Sequence, residues 1–131
     1  MGIEKGYKIV YCGVNQYLSM YTDDTIKTVQ YKINEKVYPN KRCGPLCVFL
    51  TIDHAESFLA WNCTIEKLHS IKIFECEFER SLEEHVWFFI DMDRIVRDRP
   101  TFRTVLANWV KLTKCILNNS SGTSINKEHL I

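Results

Sequence analysis

Apolar and polar residues alternate early in the chain and again near its middle, and the period of that alternation names the elements. Tyr7 to Cys12 is a β-branched and aromatic run closed by Gly13. Gln16 to Tyr21 follows with alternating large residues, so Val14-Asn15 is expected to join two strands as a hairpin. After a turn at Asp23-Asp24, Thr28 to Ile33 sets Val29, Tyr31 and Ile33 against Thr28, Gln30 and Lys32, the period of a half-buried strand. Val37 to Pro45 is punctuated by Pro and Gly and reads as a loop. Leu46 to Ile52 is continuously apolar, as in a strand covered on both faces. Asp53 is then expected to cap a helix, with Glu56 at the capping-box position, Ala55, Phe58 and Leu59 on one face, and an end near Asn62.

The second half carries the cleanest strand pattern: between Ser70 and Arg80, Phe74, Cys76 and Phe78 alternate with Glu75, Glu77 and Glu79. His85 to Val96 predicts a strand at Val86-Trp87-Phe88-Phe89-Ile90, then a turn or short helix. Pro100 is expected to open a C-terminal amphipathic helix, because Phe102, Val105, Leu106, Trp109, Leu112 and Ile116 recur at helical spacing. The expected fold class is therefore α+β, a mainly antiparallel sheet with one central helix and a C-terminal amphipathic helix. A single globular domain over 1–118 is expected, with a polar, flexible tail over 119–131.

Composition narrows the function classes. With 131 residues, 46% hydrophobic, the chain suits one core, and a formal net charge of +1 provides no global pull toward nucleic acid or anionic membrane. Met1 to Gly6 lacks the apolar core of a signal peptide, and the Val86 to Ile90 run is too short to span a bilayer. A cytoplasmic protein with free thiols is the expectation. Charge is uneven along the chain: Glu75 to Asp93 holds seven acids against Arg80, whereas Arg94 to Lys114 holds six basic residues against Asp98. Read as helical, Arg94, Arg97, Arg99 and Arg103 gather at a helix N-terminus and form the candidate binding residues for a phosphate-bearing or acidic partner. Mutual pairing between the two segments would cancel that patch.

Other chemistry is thin. Cys43 and Cys47, with His54, Cys63 or His69, offer zinc ligands, but three residues separate the pair and no second tight pair exists; filling the interior is the commoner use of cysteine, and no metal is expected. A Cys43–His54 nucleophile pair requires the two to meet in space. Glu77-Phe78-Glu79 resembles the Glu-x-Glu element of mono-ADP-ribosyltransferases. That resemblance implies a glutamate orienting the ribose of NAD, Glu77 and Glu79 as catalytic residues, and Lys8 at the first-strand position where the family carries Arg or His. Its Ser-Thr-Ser element has no counterpart beyond Ser19 or Thr51.

A longer resemblance runs over about residues 6 to 80: Gly6-Tyr7-Lys8-Ile9-Val10, Val29-Gln30-Tyr31, Gly44-Pro45-Leu46-Cys47-Val48-Phe49, Ala55 with Phe58, and Glu75-Cys76-Glu77. It is similar to small uncharacterised proteins of phages and other DNA viruses, which implies a viral or mobile-element origin and, if viral, the host cytoplasm. The reading is a non-enzymatic binding or interaction module without a cofactor, engaging a protein partner, with at most weak, salt-sensitive nucleic-acid binding and no membrane. Its alternative is a small NAD- or nucleotide-dependent transferase. Trp87, Phe88, Phe89 and Trp109 provide enough aromatic surface for homo-oligomerisation as a further expectation.

Overall fold

The computed structural model describes residues 2–13, 16–19, 29–41, 43–62, 71–89, 91–100 and 103–118. The expected C-terminal tail, the end of the Val86 to Ile90 run and the sequence from 63 to 70 lie outside them. In chain order the elements are β1 (Ile3–Gly13), β2 (Gln16–Ser19), β3 (Gln30–Tyr31), β4 (Lys36–Val37), β5 (Cys43–Gly44), β6 (Leu46–Phe49), α1 (Ile52–Asn62), β7 (Ile71–Arg80), β8 (Val86–Phe89), β9 (Ile95–Asp98) and β10 (Thr104–Asn118).

Seven strands form one antiparallel sheet that closes on itself. The long strand β7 lies between β1 and β10, pairing with both along most of its length. Short β6 bridges the other side, joining β10 over Thr104 to Ala107 and β1 at Tyr7↔Phe49. The path β1–β7–β10–β6 therefore returns to its start, and β2 and β4 extend it from the remaining edges of β1 and β10. Closure depends on Gly6. A Cβ there would stand 2.7 Å from both the Phe49 carbonyl oxygen and Val48 Cγ1, so only a residue without a side chain allows β1 and β6 to approach this closely.

Alternation along these strands sorts the apolar residues into two layers. Val10, Tyr31, Val48, Phe74, Cys76, Phe78, Val110 and Leu112 fill the inside of the ring. Ile9, Phe49, Ile71 and Ile73 face outward and are covered by Ala55 and Leu59 of α1, with the Phe58 ring 5.6 Å from that of Phe49. The helix is capped by Thr51, whose Oγ1 accepts a hydrogen bond from the His54 amide at 3.1 Å. Asp53 instead lies in the first turn, where its charge favours the dipole, and Glu56 is not at a capping-box position.

The sheet-rich architecture with one helix agrees with the expectation, as do the β1–β2 hairpin, which pairs Gly13↔Gln16 across two residues, and the β7 pattern. The C-terminal helix is overturned, since Thr104–Asn118 is the longest strand of the sheet. The reason is irregular register. Against β7 the strand shifts between Ala107 and Trp109, between Leu112 and Lys114, and between Cys115 and Leu117. Each extra residue turns the next side chain over, so buried positions fall at Leu106, Ala107, Trp109, Val110 and Leu112, a spacing that mimics a helical face. Two further departures follow. The expected strand is followed by a turn at 91–93, as one of the two expected alternatives, but a further strand, β9, begins at Ile95, and the aromatic strand β8 joins β9 and β5 in a separate three-stranded sheet. Residues of the expected loop from Val37 to Pro45 contribute to β4 and β5.

Candidate binding surface

The small sheet is built around β8, with Cys43↔Phe88 and Gly44↔Trp87 on one side and Val86↔Asp98, Trp87↔Arg97, Phe88↔Val96 and Phe89↔Ile95 on the other. Directly opposed residues share a face, so Trp87, Phe89, Ile95 and Arg97 point to one side while Val86, Phe88, Val96 and Asp98 point to the other. Trp87 and Phe89 meet edge to face with centroids 6.1 Å apart. The Trp87 indole Nε1 donates to Glu83 Oε1 at 2.8 Å, and Gly44 leaves room for its ring, which a Cβ would approach at 3.3 Å. All residues of β8 are only half-buried, although every one is apolar. Around them Leu82 and Met92 are 83% and 81% exposed, and Ile95 41%. An apolar strand left half-covered, with exposed large side chains close to it in the chain, is unusual for a surface that stays in water.

The four candidate arginines belong to this region, and their arrangement corrects the sequence reading. Arg94 and Arg97 do not share a helical turn. Asp91 instead organises the β8–β9 turn: its Oδ1 accepts from the amides of Asp93 and Arg94, and its Oδ2 lies 2.6 Å from Arg94 Nε. Arg97 is exposed on β9, Arg99 is exposed just beyond it, and Arg103 is exposed with φ of 64° immediately before β10. From Thr104 the chain is strand where a helix was expected, so among the described residues no helix dipole focuses these charges on an anion. The same region also carries Glu83, Glu84, Asp91, Asp93 and Asp98, which leaves it without a basic excess.

Glu77 and Glu79 lie on the outer face of the ring, with Glu75. Glu77 sits opposite both Lys5 and Lys111, the latter ammonium 3.5 Å away. Glu79 Oε1 accepts from Asn108 Nδ2 at 2.8 Å. Lys8, by contrast, points inside the ring beside Phe74 and Cys76, so the sheet separates it from the two glutamates and the three do not converge. Cys43 pairs with Phe88 in the small sheet, whereas His54 starts α1 with an enclosed Nδ1 that has no hydrogen-bond partner among the described residues. No three His, Cys, Asp or Glu side chains converge as metal ligands among the described residues. Of the aromatic set, Trp109 is on the ring, 5% exposed beneath Lys36, whose Nζ stands 4.4 Å above the indole centroid.

Lys8 is the feature the sequence did not single out for burial. Only 8% exposed, it donates from Nζ to the Cys47 carbonyl at 2.6 Å and lies 5.6 Å from the Tyr31 ring centroid. Burial opposes its charge, but coupling to the Tyr31 phenol and to the Cys47 and Cys76 thiols outweighs that, and its proton is held more tightly than on an ordinary lysine. Tyr31 Oη has no partner in strict hydrogen-bond geometry among the described residues, and the ammonium beside it acts on the phenol both by its charge and as a nearby donor. Burial also pushes the Tyr31 phenol up, and the Cys76 thiol up to about 12, so both are neutral at physiological pH. A cation among neutral, enclosed groups is a structural element of the ring interior. Among the described residues no helix is long and apolar enough to cross a membrane. No protein-family model, curated protein or solved structure matches the chain.

Proposed function

We propose that the chain is a non-enzymatic interaction module that engages a protein partner through the face of the small sheet carrying Trp87, Phe89, Ile95 and Arg97. The observation that carries this reading is the half-burial of every residue of β8 beside Leu82 and Met92, each more than four-fifths exposed. Tryptophan, arginine, phenylalanine and methionine are the residue types that supply most binding energy at protein interfaces when a partner desolvates them. The ring offers the contrast: most of its apolar side chains lie in its own two layers, with Ile3 and Tyr11 of β1 as exposed exceptions, and its outer Glu77 and Glu79 are engaged by Lys111 and Asn108. The transferase alternative gains no support, because Lys8 and the two glutamates occupy opposite faces of the sheet.

The test is selective capture from lysate of a host chosen by the likeness to small viral proteins. Wild type is compared with Trp87→Ser, Met92→Ser and with Glu75→Gln on the outer face of the ring. A partner retained by wild type and Glu75→Gln but lost by the other two supports the reading. Equal retention by all variants contradicts it.

A further inference from the structure

We infer that the free edge of β9 is a self-pairing strand, and that its partner is the same strand of a second copy, set antiparallel about Val96. Among the described residues β9 pairs only with β8, which leaves its outer edge with unpaired backbone groups. Natural edges of this kind are commonly blocked by charge of one sign. The charges here alternate instead, in the order Asp93-Arg94-Ile95-Val96-Arg97-Asp98-Arg99. Reversing the segment about Val96 sets Arg94 opposite Asp98 and Asp93 opposite Arg99, each twice by symmetry, with Ile95 against the stem of Arg97 and Val96 against itself. Such an isologous contact closes after two copies.

Register is selective. Sliding the pair by two residues in one direction places Arg97 directly opposite its own copy. Sliding it in the other sets Arg97 against Asp93 and Arg99 against Asp91, but it draws the turn itself into the pairing, runs Asp98 against Met92 and needs the Asp91 carboxylate that already holds the turn amides. Registers one residue away set Arg94 against Arg97 or against Arg99. The fold already holds the groups in readiness. Arg94 and Asp91 form an exposed pair that can exchange partners at little cost, and Asp98 now only accepts from the Arg99 amide at 2.9 Å. Pairing would join the two small sheets into one and align two copies of the Trp87 face. The inference concerns the edge and not that face, so it stands or falls separately from the partner proposed above.

The experiment is sedimentation equilibrium from micromolar to millimolar concentration at low salt, on wild type, Arg94→Asp, Asp98→Arg and an equimolar mixture of the two variants. Wild type is expected to dimerise reversibly, and less at high salt. Each variant alone sets like charges opposite one another twice and is expected to weaken association about tenfold or more. The mixture restores both opposite-charge pairs and should recover association. A second readout guards against a variant that fails to fold: Val96→Cys should oxidise to a dimer linked at position 96, because directly opposed strand residues lie within disulfide reach. A wild type that stays monomeric at millimolar concentration, a mixture of folded variants that does not recover, or an oxidised Val96→Cys without that link would each overturn the inference.

Discussion

The ring and the small sheet are made from the same kinds of residue and put them to different uses. In the ring, Phe74, Cys76 and Phe78 of β7 are 0 to 1% exposed, because closure packs inward side chains together, while outside it α1 covers Ile9, Phe49, Ile71 and Ile73. In the small sheet, Val86 to Phe89 is as apolar as β7 is on its inner face, yet the sheet has only three strands and leaves all of these residues half-covered. Apolar sequence thus becomes closed core or half-exposed surface according to the topology around it. A three-stranded sheet is near the minimum that holds together at all, so the smaller region should open more readily than the ring.

The sharpest way to break this contrast is to empty the ring. Phe78→Ala removes a wholly buried ring from the inner layer and should cost about 3–5 kcal/mol in the global unfolding transition, read by denaturant titration. Next comes closure itself. Gly6→Ala places a methyl group against the Phe49 carbonyl, which is backbone and cannot rotate away, and about 1–3 kcal/mol of destabilisation is expected.

Alkali should act on the ring as well. Cys76, whose thiol is pushed up to about 12 by burial, ionises earlier once unfolded. The unfolded chain therefore releases its proton first, and stability falls as pH rises from about 9 toward 12 by up to about 1.4 kcal/mol per pH unit from this group. Lys8 and Tyr31, both raised, act in the same direction at higher pH. Cys76→Ala should flatten the alkaline limb of the stability curve, and an unchanged slope would refute the burial argument. The smallest effect on the global transition belongs to Trp87→Ala. Its ring is half-exposed, so the loss of roughly 1–2 kcal/mol should be confined to opening of the small sheet, with the main melting temperature nearly unmoved.

How much of this was legible in the sequence follows the range of the contacts. The β1–β2 hairpin, helix α1 and β7 are fixed by neighbours within a few residues, and alternation or capping residues announce them. Even there Thr51 displaced Asp53 as the cap, since the chain enters the helix at Ile52. Closure was not legible, because it rests on one β1–β6 pairing and on what Gly6 lacks. Nor was β10, where register shifts erase the period of two that marks a strand. That error carried the candidate arginines with it: a helix at Pro100 would have gathered them at one terminus, whereas the strands set Arg94 in a turn, Arg97 on β9, Arg99 beyond it and Arg103 before β10. That Trp87 and Phe89 are left half-exposed was not legible without the topology, since the same run would have been core had β8 joined the ring.

Native-state hydrogen exchange resolved by residue tests the central contrast most directly. The account predicts that amides of Phe74 to Phe78 exchange only through global unfolding and slow no further on addition of a partner. Those of Val86 to Phe89 and Ile95 to Asp98 should exchange through a lower-energy local opening that persists unchanged in Trp109→Phe. Protection of the small sheet equal to that of β7 in the isolated monomer would mean that both regions form one cooperative core, and would contradict it.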